Sequence, residues 1–401
     1  MTSQPRTATG LTAGTPELRR LNLAMLFATL AAFGMLYSTQ ALLPPIGAAF
    51  GVGPTAASLS VSAATGCLAL AILPLSSLAE SVGRVRVMRV GLLVACLATF
   101  AAAAAPWFWS LLVLRGLVGV GLAAVVAVAV AHLGDEVHPA ELGTAIGIYV
   151  AGNTLGGITG RLVPGLVEEN SSWRWAVALL GVVAAVASLA FVRLLPAARR
   201  TTSVEGGFDV HLAAVRSLLA DRAVVRLCLL GFLLMGGFVA CYNYLTFRLE
   251  APPLGLGTGL TSLLFLAYLA GTVSSPLAGR LSDRFGRRRL ALAGVAVSLL
   301  GLALTLPDRI GFITAGLVVF TFGFFATHSV ASSWVSALGT GRRGQAAAMY
   351  LLSYYLGSSA FGALIGLGFQ AGGWPVAAGS IAALYAVGAL VVPTRSARPA
   401  G

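Results

Sequence analysis

The sequence predicts an all-α polytopic membrane protein whose twelve transmembrane helices form two pseudo-symmetric six-helix bundles. Three observations carry that prediction. Hydrophobic residues make up 58% of the chain and charged residues only 10%, where soluble chains carry roughly 25% charged residues. Apolar runs of about 20 residues, long enough to cross a ~30 Å hydrocarbon core, recur from one end to the other. The arginines, finally, fall between those runs and favour one side.

Taken in order, residues 1–20 read as a cytoplasmic tail: Arg19 and Arg20 precede an apolar run that lacks a cleavage site, so the first span stays in place. The first bundle, 21–195, holds spans at about 21–43, 55–79, 87–105, 108–132, 142–167 and 173–195. The longest polar segment, 196–223, reads as a cytoplasmic linker with an Arg199-Arg200 pair, a Gly206-Gly207 break and a short amphipathic helix near 211–219. The second bundle, 224–393, holds spans at about 224–249, 258–279, 290–306, 310–337, 345–369 and 375–393, before a tail at 394–401.

All 26 basic residues are arginine. With the N-terminus inside, 21 of them lie in tails and loops of that side, whereas Arg174, Arg248 and Arg309 lie outside and Arg115 and Arg161 within spans. The excess of positive charge predicts cytoplasmic termini and an inner-membrane location. The +13 net charge then points to an anionic inner leaflet as partner, not to nucleic acid. The absence of lysine excludes phosphate loops and Schiff-base chemistry. Cys67, Cys96, Cys228 and Cys241 all lie in apolar runs and read as packing residues, with no disulfide or metal spacing. No cofactor, metal or catalytic residue is expected, and the chain does not read as an enzyme.

The halves repeat one another. Gly83-Arg84 corresponds to Gly286-Arg287 at an offset of 203, and Gly119 to Gly323 at 204. Gly143, Ala145, Tyr149, Leu155, Gly156 and Trp173 correspond to Gly344, Ala346, Tyr350, Leu356, Gly357 and Trp374 at 201. Parallel repeats of this kind surround a central substrate path in many transporters.

The run from Gly279 to Leu290, GRLSDRFGRRRL, resembles the loop signature G-x-L-x-D-R-x-G-R-[RK]-x-L of the major facilitator superfamily of transporters. The resemblance extends over nearly the whole chain and implies the fold above and a transport activity. It implies a cytoplasmic gate formed by Gly279, Asp283, Arg284, Gly286 and Arg287, and by Glu80, Gly83 and Arg84 in a degraded first copy. In that gate Asp283 would face the start of the fifth span near Gly143 and Thr144. Glu80 would face the eleventh near Gly344.

Arg115 lies about 10 Å deep in the fourth span at ~1.5 Å per residue. The sequence Arg115-Gly116-Leu117-Val118-Gly119-Val120-Gly121 resembles the superfamily pattern R-x-x-x-G-x-G, which implies a role in proton coupling or substrate charge. Gly152, Gly156 and Gly160, four residues apart, make a smooth face for close helix packing. They resemble the glycine-rich fifth-span motif of exporters that work by antiport. The run Gly152 to Arg161, with Asn153 in place of the usual proline, looks like a branch called arabinose-efflux-type permeases.

Polar and aromatic residues within spans mark a substrate and proton pathway: Tyr37, Gln40, Asn153, Tyr242, Asn243, Tyr350 and Tyr354 besides Arg115. No carboxylate sits mid-span, so His328, with His132 second, is the candidate proton carrier. The expectation is a monomeric secondary transporter that exports a small organic solute, neutral or anionic, by alternating access in exchange for protons. An uptake symporter, a uniporter or a non-transporting membrane sensor stays open.

Overall fold

The computed structural model describes residues 10–196, 216–339 and 342–394. Most of the linker lies outside them, as do residues 1–9 and 395–401 of the tails. Of the helix expected near 211–219, the described residues 216–219 are helical. The expected tail 1–20 is corrected: the first helix already begins at Pro16, because Thr15 caps it there. The N-terminal side is called here the termini side, and the opposite one the far side.

The first span is broken. Helix α1 (Pro16–Leu36), capped by Thr15, gives way to a 3₁₀ turn (Gln40–Leu42) and a short α2 (Leu43–Phe50). Next come α3 (Pro54–Val82), α4 (Arg84–Ala103), α5 (Phe108–Glu136), α6 (Leu142–Glu168) and α7 (Trp173–Leu194). The second bundle opens with α8 (Arg222–Glu250). Its next span is broken as the first is: α9 (Thr258–Leu263), a 3₁₀ turn (Leu264–Tyr268), then α10 (Leu269–Phe285). The chain closes with α11 (Arg287–Leu304), α12 (Ile310–Leu338) and α13 (Arg343–Val391). Helix α13 folds back where Gly372 and Gly373 leave helical geometry, Gly373 at φ +65°, and so supplies two spans.

Nine helices among the described residues are long and apolar enough to cross a membrane. The glycine-rich α6 and α11, which opens on three arginines, complete the set with the second pass of α13. The fold is therefore twelve spans in two bundles of six. Exposed Trp107, Trp109 and Trp175 gather at far-side helix ends, where aromatic rings sit at a membrane interface.

The internal repeat is visible in the backbone. Gly83 joins α3 to α4 at φ +97°, and Gly286 joins α10 to α11 at φ +85°. These left-handed values favour glycine. Helix α6 lies against α1 so closely that a methyl on Gly156 would come 2.5 Å from the Leu30 oxygen, and one on Gly160 2.7 Å from Gly34 Cα. Helix α13 approaches α8 the same way at Gly357, against Phe232. One correspondence needs correcting. Gly323 faces Gly294 across α11 and α12, and its equivalent is Gly121, which faces Gly91 across α4 and α5; Gly119 packs on Ala64 of α3 instead. Two glycines at i and i+2 point to different helix faces, and spacing alone picked the wrong one.

The bundles meet in the far half. Thr55 donates to Gln370 Oε1 at 2.9 Å, Tyr244 to Ser58 Oγ at 3.1 Å and Ser359 to the Ser62 carbonyl at 2.8 Å. On the opposite flank, a methyl on Gly165 would lie 2.7 Å from Ser262 Oγ, and the Glu169 carboxylate lies against Gly257 and Gly259. Towards the termini side α6 and α10 part: Asp283 is exposed, and a methyl on Gly143 or Gly279 would meet nothing within 4 Å. The cleft between these helices is closed on the far side and open on the termini side.

Candidate functional site

Arg161 occupies the centre of the interface. It projects from α6 seven residues before Glu168, ~10 Å below the far end of that helix, and is 1% exposed. Even on lenient insertion scales a guanidinium at membrane depth costs at least ~2.5 kcal/mol, so its surroundings must compensate. Nε donates to Gln40 Oε1 at 2.6 Å, one terminal nitrogen to the Gly157 carbonyl at 2.5 Å, and the other to the Tyr268 hydroxyl at 3.0 Å. The Tyr37 and Tyr268 ring centroids lie 3.8 and 4.4 Å from its central carbon, and Phe265 5.4 Å away. Such cation–π contacts contribute up to about 2 kcal/mol each when desolvated.

Gln40 relays this to the second bundle. Its Nε2 donates to Asn243 Oδ1 at 2.8 Å, and Asn243 donates to the Gly362 carbonyl at 3.3 Å. Both side chains are fully buried. The break in the first span makes this possible, because Gln40 begins the 3₁₀ turn after α1 ends. Tyr268 likewise sits where the eighth span changes from 3₁₀ to α geometry.

An aromatic shelf continues from here into the second bundle. Tyr242 stacks on Phe265 at 5.2 Å and bonds Thr321 through its hydroxyl at 2.7 Å. Phe238 stacks on Phe324 at 3.8 Å and meets Tyr268 edge-on at 5.3 Å. Phe324 in turn faces His328, whose Nδ1 lies 3.0 Å from the Tyr350 hydroxyl, with Tyr354 4.7 Å from the imidazole. Tyr268, Phe325, His328 and Tyr354 stay only half-buried in the middle of the protein. They form the wall of the cleft.

Of the pathway residues read from the sequence, Tyr37, Gln40, Tyr242 and Asn243 gather around Arg161, and His328, Tyr350 and Tyr354 form the far end of the shelf. Asn153 is half-buried on α6, eight residues and ~12 Å from Arg161. Arg115 lies apart from the shelf. Its Nε donates to the Ser60 carbonyl at 3.0 Å, and its terminal nitrogens reach the Met35 carbonyl at 2.8 Å, Ser38 Oγ at 2.9 Å and the Leu36 carbonyl. It thus caps the end of α1 at the break, where a cation neutralises the helix dipole. Arg174 does the same for α4 through the Ala103 and Ala105 carbonyls. Arg248 does so for α11 through Thr305 and Leu306, with Asp308 as ion-pair partner. Arg161 is the exception.

Arg161 was not singled out from the sequence, beyond its place within a span. Its partners Gln40 and Tyr268 are 121 and 107 residues away, so no local pattern displays them. The available signal was an unpaired charge at membrane depth, which Arg115 shares.

At the termini side, Arg84 pairs with Asp135 and donates to the Ala131 carbonyl at 3.0 Å, tying the α3–α4 turn to α5. Asp283 is exposed, so the contact expected with the start of α6 is not made in this conformation. Arg284 lies over the Phe285 ring at 5.3 Å. Glu80 and Arg287 are half-buried beside their turns, and Gly279 lies in open space.

A family model described as the Major Facilitator Superfamily matches residues 25–273 and 253–400. The inner membrane transport protein YnfM of Escherichia coli (strain K12) is 39% identical over 389 residues, covering 95% of this chain and 91% of its own. The MFS-type transporter YybF of Bacillus subtilis (strain 168) is 38% identical over 361 residues, covering 90% and 89%. A crystal structure of a bacterial homologue of the human lysosomal transporter Spinster, inward-facing and occupied, matches with a TM-score of 0.76. It is 16% identical over 95% of each chain, a likeness of fold.

Proposed function

The chain belongs to the major facilitator superfamily, and we propose that this member exports a small organic solute, neutral or anionic, by alternating access in exchange for protons. That it is a membrane transporter and not an enzyme follows from the family. The single observation that carries the finer reading is the cleft that ends at Arg161, walled by half-buried aromatic residues and reached from the termini side. A buried cation at its head disfavours cationic solutes. Both termini lie in the cytoplasm, because 21 arginines share that side. The cleft then loads from the cytoplasm.

Export draws support from the glycine face of α6, which lets α1 and α6 move as one packed pair. Exchange with protons draws support from His328, a titratable side chain half-buried on the cleft wall and bonded to Tyr350. Protein in pyranine-loaded proteoliposomes tests the scheme, with a pH gradient imposed and sugars, organic anions and cationic dyes offered in turn. Solute and protons moving in opposite directions support it. Movement in the same direction makes the protein a symporter, and solute flux without protons makes it a uniporter or one driven by another ion.

A further inference from the structure

Among the described residues, the hydrogen-bond partners of Arg161 include no carboxylate. Arg84 and Arg248 instead pair with Asp135 and Asp308. The Arg161 acceptors are an amide oxygen, a backbone carbonyl and a phenol. The Tyr37 hydroxyl engages the guanidinium as well, so its partners, two phenols, an amide oxygen and a carbonyl, are all neutral, and an incoming anion must displace one of them. Arg115, by contrast, spends its donors on a helix end and a neighbouring helix.

The arrangement also joins the bundles. Gln40 and Arg161 belong to the first, Tyr268 and Asn243 to the second, and their bonds run unbroken from Tyr268 through Arg161 and Gln40 to Asn243 and Gly362. A neutral phenol is a weak partner for a buried cation. A carboxylate brings an opposite charge and bonds both terminal nitrogens at once, in the two-pronged geometry that suits a guanidinium. It would compete with Tyr268 directly.

We propose that Arg161 is the receptor for a carboxylate on the transported solute, and that its occupation releases the Tyr268 bond and so loosens the far-side closure. The flat part of such a solute lies along Tyr268, Phe325 and Tyr354, the half-buried rings of the cleft wall. The solute class is a small aromatic or otherwise planar organic acid. This rests on reading the cleft as the solute path, and it couples binding on one side to opening on the other through one shared donor.

Benzoate and its neutral isostere benzamide are the probes, with thermal unfolding of the purified full-length protein as readout. Benzoate is expected to raise the unfolding temperature saturably, and benzamide is not. Arg161→Gln should weaken benzoate at least about tenfold, the loss of one charge-assisted bond. Tyr268→Phe keeps the cation and removes its competitor, so it should bind benzoate more tightly even if Arg161→Gln folds poorly. The same Tyr268→Phe change should raise labelling of a Ser58→Cys reporter by an impermeant thiol reagent from the far side. Equal shifts with benzoate and benzamide, no shift with benzoate, or a benzoate response untouched by Arg161→Gln each overturns the assignment. Binding in detergent needs no gradient, so failure here is separate from failure of the export reading, which flux alone decides.

Discussion

Replacing Gly357 by alanine tests how tightly the packing inside the second bundle is specified. A methyl there would lie 2.6 Å from the Phe232 carbonyl carbon, 2.8 Å from its Cα and nearer still to its oxygen. Every obstructing atom is backbone, so no side-chain rotation relieves the clash, and α13 must move away from α8 by roughly 1 Å to reach ordinary contact. Overpacking of this kind costs about 1–3 kcal/mol. Alanine returns about 0.8–1 kcal/mol of helix propensity, so the clash prevails by up to roughly 2 kcal/mol, towards the upper end because the obstructing atoms are backbone. Gly147 on α6 supplies the opposite case: a methyl there meets nothing within 4 Å, and Gly147→Ala should stabilise by up to ~1 kcal/mol. Thermal unfolding in one detergent, followed by tryptophan fluorescence, should rank Gly147→Ala first, wild type next and Gly357→Ala last. A Gly357→Ala protein that unfolds with or above the wild type would refute the close approach of α8 and α13.

Three further outcomes are expected. Arg115→Met should lower the unfolding midpoint by an amount equivalent to about 1–3 kcal/mol, because the Leu36 carbonyl at the end of α1 loses its donor. Solute binding by the folded fraction should persist, and wild-type stability with binding abolished would put Arg115 in the transport path instead. Asp283→Asn should favour the conformation seen here, increasing the reactivity of a Thr144→Cys reporter from the termini side. Unchanged labelling would sink the idea that Asp283 latches that side. His328→Gln keeps a hydrogen-bonding partner for Tyr350 while removing the titratable ring, so solute binding should hold within about twofold and proton flux should vanish. Wild-type proton flux in that variant would remove His328 from the coupling route.

Much of the fold could be read from the chain because membrane proteins obey one-dimensional constraints: apolar length sets the spans and arginine placement sets their sides. The repeat was visible for the same reason, since duplicated helices keep their glycines at nearly fixed offsets. The breaks were not. Span one reads as a continuous run through 43, yet α1 ends at Leu36 and Gln40 starts a new turn. Nothing in Tyr37-Ser38-Thr39 forbids a helix; the break is held by Arg115, which reaches the Met35 and Leu36 carbonyls from 79 or more residues away. Arg161 was obscured in the same manner. Individual polar residues such as Gln40, Tyr242 and Asn243 were recognisable as oddities within spans, but the charge they surround is assembled only by folding.

The paired breaks also bear on how little of the molecule has to move. Beyond them, on the far side, stand only the eight residues of α2 and the six of α9, flaps of ~12 Å and ~9 Å hinged beside the central charge. A whole-bundle rotation must part the far-side contacts between the bundles, Thr55–Gln370, Tyr244–Ser58 and Ser359–Ser62. Short flaps can swing on their 3₁₀ turns while those contacts stay made. The far exit can therefore behave as a valve, with its own timescale, mounted on a body that changes shape more slowly.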